Sequence, residues 1–212
     1  MQSLVRIQLS PHCPNKEIVI QKDMIKSIKT GEDLVGSFII ASHFVSDPEF
    51  TRSVVLITNH NHDNKDSRRG YSGVKINHIL HSKHTNGKYR ATQGLTLYNG
   101  GRIARKIPYL LHSPDMQWSK TRQISPSLCI TNIEKNGIDI HSDNMPTEYI
   151  IVCGCSVWLP GQLEEEIKNG LWLFSNGYPE LIFQTPSINR WYYAYSLIDA
   201  APEWVSMDSA RC

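Results

Sequence analysis

Trp158-Leu159-Pro160-Gly161-Gln162-Leu163-Glu164-Glu165-Glu166-Ile167 is the most informative stretch of this chain. Leu163 and Ile167 stand four residues apart, so a helix opening at Gly161 presents both on one face. Trp158, just ahead of Pro160, is expected to pack back on Leu163 or Ile167 and fix the helix's entry. Gly170 is the expected stop. Glu164, Glu165 and Glu166 lie near the positive end of the helix dipole, and at least one of them must face solvent. Immediately upstream, Tyr149 to Val157 reads as a strand.

Working outward, Val54-Val55-Leu56-Ile57 is a short unbroken apolar run, the pattern of a strand buried on both faces. Ser37 to Ala41, Val74 to Asn77, Leu95 to Tyr98 and Leu128 to Ile133 add strands bounded by Gly, Asn, Pro or Ser. Thr185-Pro186 predicts a helix start, with the hydroxyl as cap and proline at the first position. Ile188, Trp191, Tyr192, Tyr195 and Ile198 then give one apolar face, and Pro202 ends the helix. Asp47-Pro48-Glu49 predicts a helix of one or two turns. Strands and helices do not alternate, and neither GxGxxG nor GxxxxGK[ST] occurs. The class is therefore α+β rather than a doubly wound nucleotide fold. The reading divides the chain into an extension over 1–33, one domain over 34–200 and a tail over 201–212.

With 212 residues, 40% of them hydrophobic, the chain is long enough to hold a core without metal or disulfide. No apolar run approaches the length that spans a bilayer, and Met1 to Cys13 lacks the features of a signal peptide. The net charge of +2 conceals an asymmetry. Residues 60–106 carry ten Lys and Arg against two Asp, whereas residues 107–212 carry six against twelve acidic residues. A basic block can be the footprint of a phosphate-bearing partner. The competing expectation, which we favour, is that it pairs with Glu164 to Glu166 and their acidic neighbours, so nucleic acid is not the favoured partner and no membrane is expected.

The five cysteines are odd in number and widely spaced, which fits free thiols in a reducing cytoplasm. Cys153 and Cys155, two apart on a strand, would share a face. His78, His81 and His84 recur every three residues, but no carboxylate or cysteine lies beside them. No metal or cofactor is expected.

Several segments together resemble the AlgH/YqgE family. Gly36-Ser37-Phe38-Ile39-Ile40-Ala41, Asp47-Pro48-Glu49-Phe50, Ser53-Val54-Val55-Leu56-Ile57 and His60 look like its opening. Gly73-Val74-Lys75-Ile76-Asn77, Tyr98-Asn99-Gly100-Gly101 and Leu111-His112 follow in its order. Gly154 and the Trp158–Ile167 stretch, with Gly161, Gln162, Leu163 and Glu166, then Trp172, are similar to its most distinctive signature. Departures at His43, His78, Ile79, Arg102 and Val157 mark a divergent member. The resemblance implies a sheet folded into a bifurcated pseudo-barrel and a role in transcriptional regulation. It implies no catalytic residue and no cofactor.

The residues themselves offer Asp47, His60, Asn77, Gly100, Gly101 and Arg102 as candidate ligand contacts. Gly100-Gly101 reads as a tight turn or, through its amides, an anion site; Asn77 reads as a cap or a ligand contact. Asp47 and His60 could meet a serine or cysteine in space, although no GxSxG motif supports it. Two functions follow: a non-enzymatic protein that binds a protein or small-molecule partner and regulates gene expression, or a small-molecule or anion-binding enzyme or sensor. Convergence of those side chains in one cleft favours the second, and their scatter through the core favours the first.

Overall fold

The structure, a computed structural model, describes residues 34–62, 69–80 and 95–198. The predicted extension and tail, His81, His84 and the basic residues Lys65, Arg68, Lys83, Lys88 and Arg90 lie outside these. The described residues form a mostly antiparallel sheet of nine strands with a few short helices, an α+β architecture. The strands are β1 (Phe38–Ala41), β2 (Val54–His62), β3 (Arg69–Lys75), β4 (Leu97–Asn99), β5 (Ile103–His112), β6 (Arg122–Ser125), β7 (Leu128–Asn132), β8 (Tyr149–Trp158) and β9 (Trp172–Ser175). Their order is β6-β7-β5-β8-β3-β2-β1-β9, with β4 parallel to β8.

The apolar runs of β1 and β2 have a direct cause. Phe38, Ile40, Val54 and Leu56 face one hydrophobic cluster, while Ile39, Ala41, Val55 and Ile57 face another. Both faces of these strands are covered, so alternation disappears. The sheet curls around the first cluster without closing. Its edge strand β6 approaches β2, where the Arg122 guanidinium donates to the Thr58 carbonyl at 2.5 Å. A third cluster joins Leu97, Leu110, Ile151 and Cys153 to Ile133, which opens the short helix α1 (Ile133–Asn136).

The sheet forks on β8. Ile151, Val152 and Cys153 pair with β4, and Ser156, Val157 and Trp158 pair with β3. At the split stands Gly154, with φ +80°. A Cβ there would lie 2.8 Å from the carbonyl oxygens of both Gly101 and Ile103, and one on Gly100 would lie 2.2 Å from Gly154 O. Three backbones meet here at distances that only glycine permits. On β5, the pair Ile103–Cys155 is followed by Pro108–Cys153, so residues 104–107 bulge outward opposite Gly154 alone. Ala104 in that bulge has φ 52°.

Several expectations require correction. Thr185 does not cap the following helix: its hydroxyl donates to Glu180 O and closes helix α3 (Pro179–Phe183). Pro186 is extended, a 3-10 turn covers Ser187–Asn189, and helix α4 begins at Arg190 and runs to Ser196. Trp191 and Tyr195 are buried as the spacing predicts, but Ile188 is 79% exposed because it precedes the helix proper. Asp47-Pro48-Glu49 makes a single turn, with Phe50 N–H and Thr51 N–H donating to Asp47 O, before Arg52 (φ 53°) stops it. Cys153 and Cys155 do not share a core: Cys153 packs in the third cluster and Cys155 against the first, because the left-handed Gly154 between them breaks the alternation.

The signature stretch is a buttress. Helix α2 (Gln162–Lys168) follows Gly161 at φ 82°, and Trp158, Leu163, Ile167 and Trp172 share the second cluster. Both indole N–H groups, of Trp158 at 2.9 Å and Trp172 at 2.7 Å, donate to one Glu166 oxygen. Gln162 Nε2 donates to the other at 2.8 Å.

Candidate functional site

The fork gathers charge. Lys75 ends β3, and its N–H donates to Gly100 O where β4 leaves β8. Its side chain is 0% exposed, and its ammonium donates to Glu49 Oε1 at 2.5 Å and Glu49 O at 2.8 Å. The ring of Phe50 covers it, with the centroid 5.3 Å away. Asn99 Nδ2 donates to the same Glu49 oxygen at 3.1 Å, and Arg105 reaches the other at 3.4 Å. Burial pulls the Lys75 ammonium below its usual pKa, against the opposing pull of Glu49. Burial works against ionisation of Glu49 too, but the Lys75 hydrogen bond and charge, with help from Asn99 and Arg105, hold its carboxyl below the usual range.

Asp47 and Asn77 hold the 47–53 loop over this pair. Asp47 Oδ1 accepts from Glu49 N–H at 2.9 Å and from Arg102 at 2.8 Å. Asn77 Oδ1 accepts from Val54 N–H at 2.8 Å, and its amide donates to Arg52 O at 2.7 Å. Asn77 thus pins the strained residue that turns the loop back into β2, a capping use of its side chain. Next to it, His78 Nε2 lies 3.2 Å from Ser53 Oγ, and burial lowers the pKa of the imidazole. A hydroxyl beside a neutral imidazole is half of a nucleophile–base arrangement. Ser53, however, is fully buried in this structure.

Of the residues singled out by sequence, Asp47, Asn77, Gly100, Gly101 and Arg102 converge here. His60 does not. It lies six residues along β2 from Val54, opposite Tyr71, roughly 20 Å away at strand rise. The two glycine amides are committed: Gly100 N–H donates to Cys153 O at 2.8 Å and Gly101 N–H to Asn99 Oδ1 at 3.2 Å. They therefore form a close backbone crossing and do not point at an anion. The expected partners of the basic block also change. Arg102 and Arg105 pair with Asp47 and Glu49, while Glu166 serves the two indoles and Glu165 lies 3.8 Å from Lys168.

Sequence reasoning missed Glu49, Lys75, Ser53 and Asn99, and took Arg105 only as part of the basic block. The available signal was Lys75 itself, a lysine inside the strand pattern Gly73-Val74-Lys75-Ile76 with buried neighbours on both sides. Among the described residues, no group of three His, Cys, Asp or Glu is placed to hold a metal ion, and no helix is long and apolar enough to cross a membrane.

Comparison with known proteins agrees with the architecture. The AlgH protein of Pseudomonas aeruginosa, solved in solution, superposes with a TM-score of 0.66 at 23% identity over 84% of this chain and 94% of its own. A crystal structure from Corynebacterium diphtheriae superposes at 0.60 with 20% identity over 83% and 91%. A UPF0301 protein of Pseudoalteromonas translucida is 30% identical over 176 residues, covering 79% of this chain and 92% of the relative. The AlgH-like family profile matches residues 38–203, which include the fork, the 47–53 loop and the buttress. The chain belongs to the AlgH-like family.

Proposed function

We propose that this is a non-enzymatic cytoplasmic protein that binds a protein partner and acts in gene regulation through that contact, without reading DNA itself. One observation supports this reading above the others. Lys75, Glu49, Asn99 and Asn77 at the fork are spent on each other and on the backbone, while Arg102 to Lys106, which lead into and form most of the bulge beside them, all stand exposed. The converged residues are the mounting, and the bulge is what they mount. A bulge with a strained non-glycine residue persists only where the surroundings over-determine it, and such places are commonly functional. DNA reading is disfavoured by α4, whose one basic residue, Arg190, is buried against Tyr98 and donates to the carbonyls of Thr185 and Ile76.

The test runs in two arms. Purified protein is incubated with p-nitrophenyl esters and phosphates, alongside its Ser53→Ala and His78→Ala variants. No turnover that depends on Ser53 or His78 is expected; such turnover overturns the reading in favour of an enzyme. Crosslinking in cells that express the protein is expected to retain a discrete protein partner, and retention of nucleic acid alone also overturns it.

A further inference from the structure

Resting on the partner-binding reading, we propose that the exposed 102–106 segment, at and just before the bulge, takes an acidic peptide segment, and that Asp47 is its built-in competitor. The chain already shows what the bulge accepts. Asp47-Pro48-Glu49 presents two carboxylates two residues apart to Arg102 and Arg105, at 2.8 Å and 3.4 Å. The two carboxylates are not equivalent. Glu49 is tied down by buried Lys75 and by Asn99, so it stays as part of the mounting. Asp47 is 39% exposed and meets an arginine that is 55% exposed. A pair so open to water is weak, and an incoming carboxylate exchanges with it at little cost.

Both guanidiniums keep more than half of their side-chain surface in solvent, Arg105 at 58%. Each has five N–H donors in a planar fork suited to carboxylates. Between them Ile103 is 53% exposed, which offers an apolar contact to a peptide side chain. A duplex suits the surface less well. Its affinity comes from neutralising many phosphates along an extended basic surface, and here Asp47 and Glu49 offset the charge of Arg102 and Arg105.

The decisive experiment titrates the intact protein at about 50 mM salt, where charge contacts are strong. The probes are a fluorescein-labelled peptide alternating Glu and Gly, the same peptide with Gln for Glu, and a short DNA duplex. The Glu peptide is expected to bind, the Gln peptide not, and the duplex more weakly than the Glu peptide. Asp47→Asn should tighten the Glu peptide by about 1.5-fold to fivefold, the span an exposed competing pair allows. Arg102→Glu with Arg105→Glu should weaken it about tenfold or more. If that double variant loses its fold, Arg102→Gln alone decides, and unchanged affinity there overturns the proposal. So does unchanged or weaker binding by Asp47→Asn, equal binding of the Gln peptide, or tighter binding of the duplex. Failure of the peptide to bind while crosslinking still retains a protein partner sinks this proposal alone; Ser53-dependent turnover sinks the reading beneath it.

Discussion

Lys75 Nζ sits 2.5 Å from Glu49 Oε1 at the point where the sheet divides, with the lysine wholly enclosed and the glutamate 16% exposed. The two come from segments 26 residues apart, and their contact fixes the 47–53 loop on the fork. Removing Glu49 leaves the enclosed Lys75 ammonium without its counter-charge, so Glu49→Leu is expected to cost about 3–5 kcal/mol. Lys75→Met should cost less, because Glu49 keeps Asn99 and Arg105. The double variant should cost clearly less than the two added together. Urea unfolding of all four proteins measures the cycle; strict additivity would show that the pair is not coupled.

Acid should unfold the protein partly through Asp115. Hydrogen bonds from Ser113 and from the Thr147 hydroxyl and N–H hold its carboxyl down to about 2. A group depressed in the folded state stabilises above its unfolded pKa, and that contribution fades as pH falls through the folded one. The slope is thus expected between pH 3.8 and about 2. Asp115→Asn should flatten stability against pH in that window, and an unchanged slope refutes the assignment.

The glycines of the fork and the glycine that ends α1 should respond very differently to a methyl group. Gly137 has φ 60° with nothing within 4 Å of a Cβ, so Gly137→Ala costs only the left-handed backbone, about 1–2 kcal/mol. Gly100→Ala and Gly154→Ala drive a Cβ into backbone carbonyls, which cannot rotate away. These variants are expected to lose the cooperative thermal transition. A cooperative melt near the wild-type temperature for either would refute the backbone crossing.

Trp191 anchors α4 by packing on Tyr195 and by donating its indole N–H to Ala41 O at 2.9 Å. Trp191→Ala should cost about 3–5 kcal/mol by cavity formation. Trp191→Phe keeps most of the ring but leaves the Ala41 carbonyl without that donor, and should cost about 1–3 kcal/mol. Calorimetry that places both variants at the wild-type midpoint would contradict the packing.

Much of this fold is readable where burial leaves a composition mark. β1 and β2 are covered on both faces, so Phe38 to Ala41 and Val54 to Ile57 are unbroken apolar runs. The stretch from Trp158 to Ile167 packs as its spacing predicts. β5 is hidden because its first half is exposed and bulged, where Ile103 to Lys106 resemble a loop, and Pro108 then interrupts the pattern. Thr185-Pro186 misleads because the hydroxyl closes the preceding helix rather than opening the next. At the site, Asp47, Asn77 and the paired glycines are visible as turn chemistry. Glu49 is not, and Lys75 shows only as a lysine inside an apolar strand pattern; the topology of the fork alone makes the two meet. His60 shows the converse, a residue attractive by type that strand geometry carries to the far end of β2.

β1 takes its outer partner from β9, more than 130 positions further along, with Phe38 opposite Ser175 and Ala41 opposite Trp172. Ala41 receives its cap from Trp191, 150 residues away. Contacts of such separation are slow to form, because the intervening loop must close before they give anything back. On a ribosome, the apolar row Phe38-Ile39-Ile40-Ala41 emerges early and stays uncovered on that edge until nearly the whole chain has been translated. Nascent chains halted before residue 172 should therefore be chaperone clients, holding a sticky strand whose natural cover has not yet been made.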